Sequence, residues 1–271
     1  MSMRNLMVAL DDEGLVESLI PAVVKMAQDL GLGSIAFVAG GQVALPASAS
    51  AIGLPFGLMA ANENEVRRRL TLLAAQSKMA ANRLRSTWRS DTVDDPTRFV
   101  LLQVDRADLL VAPQPRRPAP GFGAIDLARL ILRAGRPVLV APRAQAALPM
   151  TRILVAWNDT REARLAVASA MPLLLQAKRV LIVGVGADSQ SERLQQVADY
   201  CGLHGVYAQT KVENDVRTGD EGQALLDAAD DDASTLIVSG AYGHSRLREL
   251  VLGGVTRDLL QQETRPCLFS H

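Results

Sequence analysis

Asn5-Leu-Met-Val-Ala-Leu-Asp-Asp12 returns later in the chain as Arg152-Ile-Leu-Val-Ala-Trp-Asn-Asp159. Two further segments return in the same order. Ala107-Asp-Leu-Leu-Val-Ala112 is matched by Ser234-Thr-Leu-Ile-Val-Ser239, and Arg136-Pro-Val-Leu-Val140 by Arg265-Pro-Cys-Leu-Phe269. Matches in one order and at similar separations mark an internal repeat, so the chain reads as two copies of one unit. Each repeated segment is a short apolar run, which suits a strand buried on both faces.

Working outward in the first copy, Leu15, Leu19, Val23, Met26 and Leu30 recur at helical spacing, Gly31 supplies a helix-ending glycine, and Ser34 to Ala39 reads as a strand. Gly40 to Asn62 carries no charge, but Pro46, Gly53, Pro55 and Gly57 make a poor membrane span; it reads as a long loop. Leu54, Phe56, Leu58 and Met59 in that loop are candidates to cover a partner subunit or the other half of the chain. A helix follows over Glu63 to Asn82 with Val66, Leu70, Leu73 and Ala80 inward. Its Arg67-Arg68-Arg69 run spreads around the helix as a solvated face. Ser86 to Thr92 reads as a strand, Pro96 to Val104 as a helix with Pro in its first turn, Asp108 to Ala112 as a strand, Ala124 to Ala134 as a helix and Pro137 to Ala141 as the last strand. The Ala- and Pro-rich stretch from Pro142 to Pro149 reads as a linker.

In the second copy Asp159 and Glu162 suggest a capping box for a helix running to Ala177, with Pro172 inside it. Strands over Val180 to Val185 and Val206 to Val212 flank a helix over Ser191 to Cys201, and a short helix over Gly222 to Ala229 leads to the strand Thr235 to Ser239. Next come Gly240-Ala-Tyr-Gly243-His244, then Gly253-Gly254-Val255-Thr256, where a helix begins, and a last strand over Cys267 to Ser270. Glycines let backbone approach a ligand closely, and free N–H groups at a helix start favour phosphate. The spacing Gly-x2-Gly-x9-Gly fits neither the Walker pattern nor the dinucleotide fingerprint. Strands alternating with helices indicate parallel sheets covered on both faces, with ligands at the strand C-termini where the winding reverses.

With Gly240, Gly243 and Gly253 on its three glycines, the stretch resembles the C-terminal signature of the universal stress protein family, Gly-x2-Gly-x9-Gly-Ser/Thr. The resemblance implies two tandem Rossmann-like domains of the adenine nucleotide alpha hydrolase-like type, each a parallel five-stranded sheet with helices on both faces. It divides the chain into a degenerate domain (1–141), a linker (142–150) and a domain with the glycine signature (151–271). It further implies ATP, accompanied by Mg2+, in the second domain, held by Ala156, Asn158, Val185, Gly240, Gly243, His244, Gly253, Gly254, Val255 and Thr256. Two positions depart from the family's ATP binders. Gly254 stands where they carry Ser or Thr, with Thr256 as a substitute hydroxyl, and Asn158 replaces the Asp that meets adenine. In the first domain Asp11 is kept, but Pro113 and Arg116 fall near the first two glycine positions, and no nucleotide is expected there.

Across its 271 residues, 29 basic and 29 acidic side chains balance to a formal charge of zero, which argues against nucleic acid as the main partner. Cys201 and Cys267 form neither a Cys-x-x-Cys pair nor a Cys/His cluster, so neither a disulfide framework nor a metal site is expected. His204 and His271 have no evident Ser or Asp partner for nucleophilic catalysis. The Met-Ser-Met-Arg start runs straight into a strand pattern, and the expected location is the cytoplasm. The reading is therefore a regulatory nucleotide-binding stress protein, not an enzyme. Its two domains would pair within the chain, with a homodimer and an unknown protein partner left open. The competing readings are a nucleotide-free interaction scaffold and a slow ATP hydrolase.

Overall fold

Residues 6 to 10 and 153 to 156 are apolar throughout because both of their faces are covered, and most strands of the described residues have such a buried run. A computed structural model describes residues 3–43, 56–81, 84–115, 122–186, 191–243 and 254–271, with side chains of the long helix described from Asn62 onward. The first half contains β1 (Asn5–Leu10), α1 (Leu19–Asp29), β2 (Ser34–Gly41), α2 (Phe56–Ala80), β3 (Arg85–Thr92), α3 (Pro96–Leu101), β4 (Leu109–Pro113), α4 (Leu127–Arg133) and β5 (Val138–Ala141). The second contains β6 (Arg152–Trp157), α5 (Arg161–Leu174), β7 (Arg179–Val185), α6 (Ser191–Leu203), β8 (Ala208–Glu213), α7 (Glu221–Asp231), β9 (Leu236–Gly240), α8 (Gly254–Gln261) and β10 (Cys267–Ser270).

All ten strands lie in one sheet, ordered β3-β2-β1-β4-β5-β10-β9-β6-β7-β8. Within each half every pairing is parallel; the halves join where β5 and β10 run antiparallel, with Cys267 opposite Val140 and Phe269 opposite Val138. Equivalent edge strands thus meet as they would in a twofold-related pair. The pairing leaves each half no unpaired inner edge, which removes a template for aggregation.

Strand alternation sorts the core into two layers that cross this junction. Leu6, Val8, Ile153 and Val155 pack with α1, α2, α5 and α6. Met7, Ala9, Leu154 and Ala156 pack with α3, α4, α7 and α8. Turn bonds recur between the copies: Gly33 N and Ser34 N donate to Arg4 O as Lys178 N and Arg179 N donate to Thr151 O. Where the copies differ in sequence, the same task is done by different chemistry. The Asp108 carboxylate accepts from Arg4 N and Asn5 N, whereas the Thr235 hydroxyl accepts from Thr151 N and Arg152 N.

The element order matches the sequence expectation, but several boundaries shift. The long helix starts at Phe56 instead of Glu63, because Leu58, Met59, Ala60 and Ala61 are good helix formers. Leu54 and the side chains of Phe56, Leu58 and Met59 lie outside the described residues, so their expected covering role is not addressed. The first helix is preceded by a 3-10 turn at Glu13–Val16 capped by Asp12. The cap of α5 is Thr160, not Asp159: its backbone is extended and its Oγ1 accepts from Ala163 N at 3.2 Å. Asp159 is drawn instead to the guanidiniums of Arg164 and Arg193. The helix ends at Leu174, short of Ala177. Residues 142–150 form neither helix nor strand, yet Leu148 and Met150 are buried in the core, so this segment is packed, not a free tether. No helix of the described residues is long and apolar enough to cross a membrane.

Asp232, which follows α7, is the most heavily bonded buried acid of the second half. Arg179 and Arg152 reach its Oδ1, Ser234 Oγ donates to its Oδ2 at 2.7 Å, and Arg152 Nε donates to its backbone oxygen at 2.6 Å. Burial alone would raise its pKa, but the Ser234 hydroxyl and the two guanidiniums outweigh it and hold the carboxyl below the usual range. A depressed folded-state pKa gives stability that is present above the unfolded value, about 3.9, and lost as pH falls through the lower folded value. We expect Asp232→Asn to lower unfolding stability by about 2 kcal/mol at pH 7. Urea titrations should show the difference shrinking below about pH 4. An equal difference at pH 7 and pH 3 would contradict the charged role.

Candidate functional site

Each half reverses its winding between its first and fourth strands, β1 and β4 or β6 and β9. The strand C-termini at these two places carry different residues, and their contents differ accordingly.

In the first half the place is filled by the protein itself. Asp11, directly after β1, is 4% exposed. Arg143, from the segment after β5, donates through Nη2 to Asp11 Oδ2 at 2.5 Å and through Nε to Gln114 O at 2.7 Å. One side chain therefore ties the ends of β1 and β4. Nearby, Phe122 is buried, forms an isolated bridge with Gly41, and lies beneath the Arg69 guanidinium at 5.3 Å from the ring centroid. Arg69 also donates to Glu13 at 2.7 Å. Arg67 and Arg68 instead pair with Glu63 and Glu65 on the solvated face, so the arginine run divides at its third member. Pro113 ends β4 and is buried; Arg116 lies outside the described residues.

In the second half Ala156 and Ser239 are register neighbours on β6 and β9, and both are buried. Asn158 is exposed just beyond β6. Its Oδ1 accepts from the Thr160 hydroxyl at 2.9 Å and its backbone oxygen from Thr160 N at 2.8 Å. Its oxygen is thereby committed to the cap of α5, and the amide NH2 is the donor it offers a ligand. Val185 ends β7 and is half-buried.

The two described signature glycines have a packing role of their own. A Cβ on Gly240 would come within 2.5 Å of Ala163 N and 2.6 Å of the Glu162 carbonyl carbon, so β9 ends pressed against the first turn of α5. A Cβ on Gly243 would lie 3.0 Å from Thr160 Oγ1 and 3.1 Å from Glu162 Oε2. Between them Tyr242 holds a left-handed φ of 63°, which is uncommon for a side chain of that size. Its ring meets His271 edge-on with centroids 6.2 Å apart, and His271 Nδ1 is 3.0 Å from Ala241 O. The Tyr242 hydroxyl is buried without a hydrogen-bond partner among the described residues; burial, with Asp126 of the first half adding to it, pushes its pKa up to about 12.

The N-terminus of α8 completes the place. Gly254 opens the helix with nothing among the described residues within 4 Å of its would-be Cβ, in a backbone conformation that any residue adopts. Val255 is half-buried, but Thr256 is 4% exposed and shares the inward side of α8 with Leu259 and Leu260. The substitute hydroxyl expected from the sequence is thus turned toward the core. His244 and Gly253 lie outside the described residues. Sequence reasoning missed Glu162, whose side chain is 12% exposed and stands beside Gly243. It also missed Arg143, which lies in what reads as a linker. Cys201 and Cys267 are buried free thiols raised by that burial, Cys267 to about 12, and the described residues hold no group of three or more potential metal ligands.

Comparison with known proteins places these features in context. Residues 187–271 match the model of the universal stress protein family. The universal stress protein Slr1230 of a Synechocystis species is 28% identical over 153 residues, 55% of this chain and 52% of that protein, so the match spans about half the length of this relative. A crystal structure of a universal stress protein from Archaeoglobus fulgidus superposes with a TM-score of 0.71 at 13% identity, covering 98% of this chain and 95% of that one. The functionally unknown protein PA1789 from Pseudomonas aeruginosa gives a TM-score of 0.60 at 15% identity, covering 99% and 92%. At these identities the structural likeness is one of fold, and it extends over both halves.

Proposed function

We propose that this chain, whose residues 187–271 match the model of the universal stress protein family, binds one molecule of ATP per chain at the glycine loop between β6 and β9. On this reading the occupied state regulates a protein partner in the cytoplasm, without substrate turnover.

What supports this reading is the asymmetry of the two reversal points. Arg143 and Asp11 close the first, whereas the second presents Gly240, Gly243, the Asn158 amide and, at Gly254, a helix start with no described residue within 4 Å of a would-be Cβ. Backbone N–H groups at a helix N-terminus attract phosphate. Glu162 beside Gly243 would meet a phosphate only through a cation, so Mg2+ fits the described residues as a companion of the nucleotide. Binding would act by favouring one conformation or assembly over another, to the extent that ATP has different affinity for the two. The 1–141, 142–150 and 151–271 division follows from the same reading, with the first unit retained for its pairing through β5 and β10.

The nucleotide-free scaffold remains the second reading, favoured by the buried Thr256 and by the packing role that Gly240 and Gly243 already have. Calorimetric titration of ATP with Mg2+ into ligand-stripped protein separates the two. Saturable heat at about one site per chain is the expected outcome. Absence of heat at several temperatures from folded protein would overturn the nucleotide reading in favour of the scaffold.

A further inference from the structure

Between α5 and α6, on the sheet face opposite α7 and α8, lies a cleft of about 660 Å3. That volume falls in the range of small-molecule sites. Its walls are apolar: Trp157, Leu165, Val167, Ala168, Val197 and the Tyr200 ring. Tyr200 is steadied by an edge-on contact with His204 at 4.9 Å between centroids. Three arginines, one aspartate and Gln196 complete the lining and leave it with a net charge of +2. Arg164 from α5 and Arg193 from α6 both bind Asp159, which closes one end of the cleft with a neutralised acid. Arg161 is different. It is 74% exposed, and its nearest acid, Glu162, stands at 3.8 Å, outside hydrogen-bond reach.

Trp157 is partly buried, and its indole Nε1 is shut off from solvent, so the ring enters the wall as an apolar surface. An apolar wall and a surplus of guanidinium suit one ligand chemistry, a small amphipathic carboxylate. Its acyl or aryl body would lie along Leu165, Val167 and Val197, and its carboxylate would meet Arg161. Asn158, Val185 and Gly240 do not line this cleft, so it is separate from the glycine loop. We infer that the α5–α6 cleft is a second ligand site of the chain, specific for small amphipathic carboxylates, and independent of the nucleotide reading.

The chain has two tryptophans, so Trp88→Phe leaves Trp157 as a fluorescent reporter in the cleft. The probe is decanoate below its micelle concentration, with decanol as the uncharged control. The expected result is a saturable change in Trp157 emission at one decanoate per chain, weakened about tenfold in Arg161→Gln, in line with loss of a charge-assisted bond. Ala168→Phe, an exposed position that fills the cleft with little demand on the core, should abolish it. Calorimetric titration of decanoate into the natural chain gives a readout that does not depend on the Trp88 change. The proposal is overturned if neither readout saturates, if decanol binds as tightly as decanoate, or if both cleft variants bind normally. It is overturned equally if saturating ATP displaces decanoate, since the cleft would then be part of the nucleotide site.

Discussion

Arg143→Ala is expected to cost about 3–5 kcal/mol of unfolding stability at neutral pH, because it strands a buried carboxylate. The Arg143 and Asp11 side chains are only 15% and 5% exposed, and Asp11 Oδ1 is already buried without a hydrogen-bond partner among the described residues. Burial pushes the Asp11 carboxyl up, and the hydrogen bond and charge of Arg143 offset only part of that rise. A carboxyl raised in the folded state penalises folding fully above its folded pKa, and the penalty disappears as pH falls below the unfolded value. Removing Arg143 raises the folded value further, so the deficit of the variant should be greatest near neutrality and should shrink on acidification. Adding Asp11→Asn to Arg143→Ala should recover much of the loss by removing the stranded charge. Urea unfolding from pH 4 to pH 8 tests this. A deficit below about 1 kcal/mol, or one that does not change with pH, would mean that the pair is too well solvated to close the first reversal point.

The same pair shows what a sequence withholds. The repeat was legible because strand-forming runs and their order are local properties, carried by Asn5 to Leu10 and Arg152 to Trp157 themselves. Arg143 and Asp11 are 132 positions apart, and nothing local distinguishes Arg143 from other basic residues in a Pro- and Ala-rich segment. Arg69 was hidden in a similar way. Its two neighbours are solvated, and only the tertiary placement of Phe122 and Glu13 draws the third arginine inward. The burial of Thr256 was hidden for a helical reason: with no register for α8, the sequence could not say which side of its first turn faces the core. The glycines were legible as glycines, but two causes act on them. Close packing on α5 and close approach of a ligand both demand the missing Cβ, and only the neighbouring atoms separate the two demands.

The filled first reversal point is also mechanically attached to the second half. Gln114, whose backbone oxygen accepts from Arg143, donates through Nε2 to Gln262 O just beyond α8. Gln262 is in turn bonded to Arg265 O at 2.6 Å and Thr264 N at 2.9 Å on the approach to β10. Tyr242, in the glycine loop, has its pKa raised chiefly by burial, and Asp126 of the first half adds to that rise. The first half thus supports α8 from its C-terminal end, while the proposed ligand would meet the N-terminal end. A change in how α8 sits could therefore be passed to the β5–β10 junction without any ligand in the first half, provided that ATP favours one placement over another.

That helix start provides the cleanest test of the proposed nucleotide site. Gly254→Glu should weaken ATP binding about 100-fold, because a carboxylate at the start of α8 faces the nucleotide's own negative charge, and like-charge opposition costs several kcal/mol. The fold should tolerate the change, since no described residue lies within 4 Å of the new Cβ. A negative side chain at a helix N-terminus and the loss of a helical glycine both favour the helix, so Tm should hold or rise. Gly254→Ser restores a hydroxyl at the departing signature position and should tighten binding about tenfold, the worth of one hydrogen bond to a charged group. Gly243→Asp would be a poorer probe. Its Cβ would crowd Thr160 Oγ1 and Glu162 Oε2 and add a second acid, so lost binding could follow from a disturbed α5 cap alone. Gly240→Ala is worse still, because the obstructing atoms belong to the α5 backbone and have little freedom to move. Opposite shifts in affinity for Gly254→Glu and Gly254→Ser, at undiminished Tm, would tie ATP to the α8 N-terminus; equal affinities in both variants and the natural chain would remove it from there.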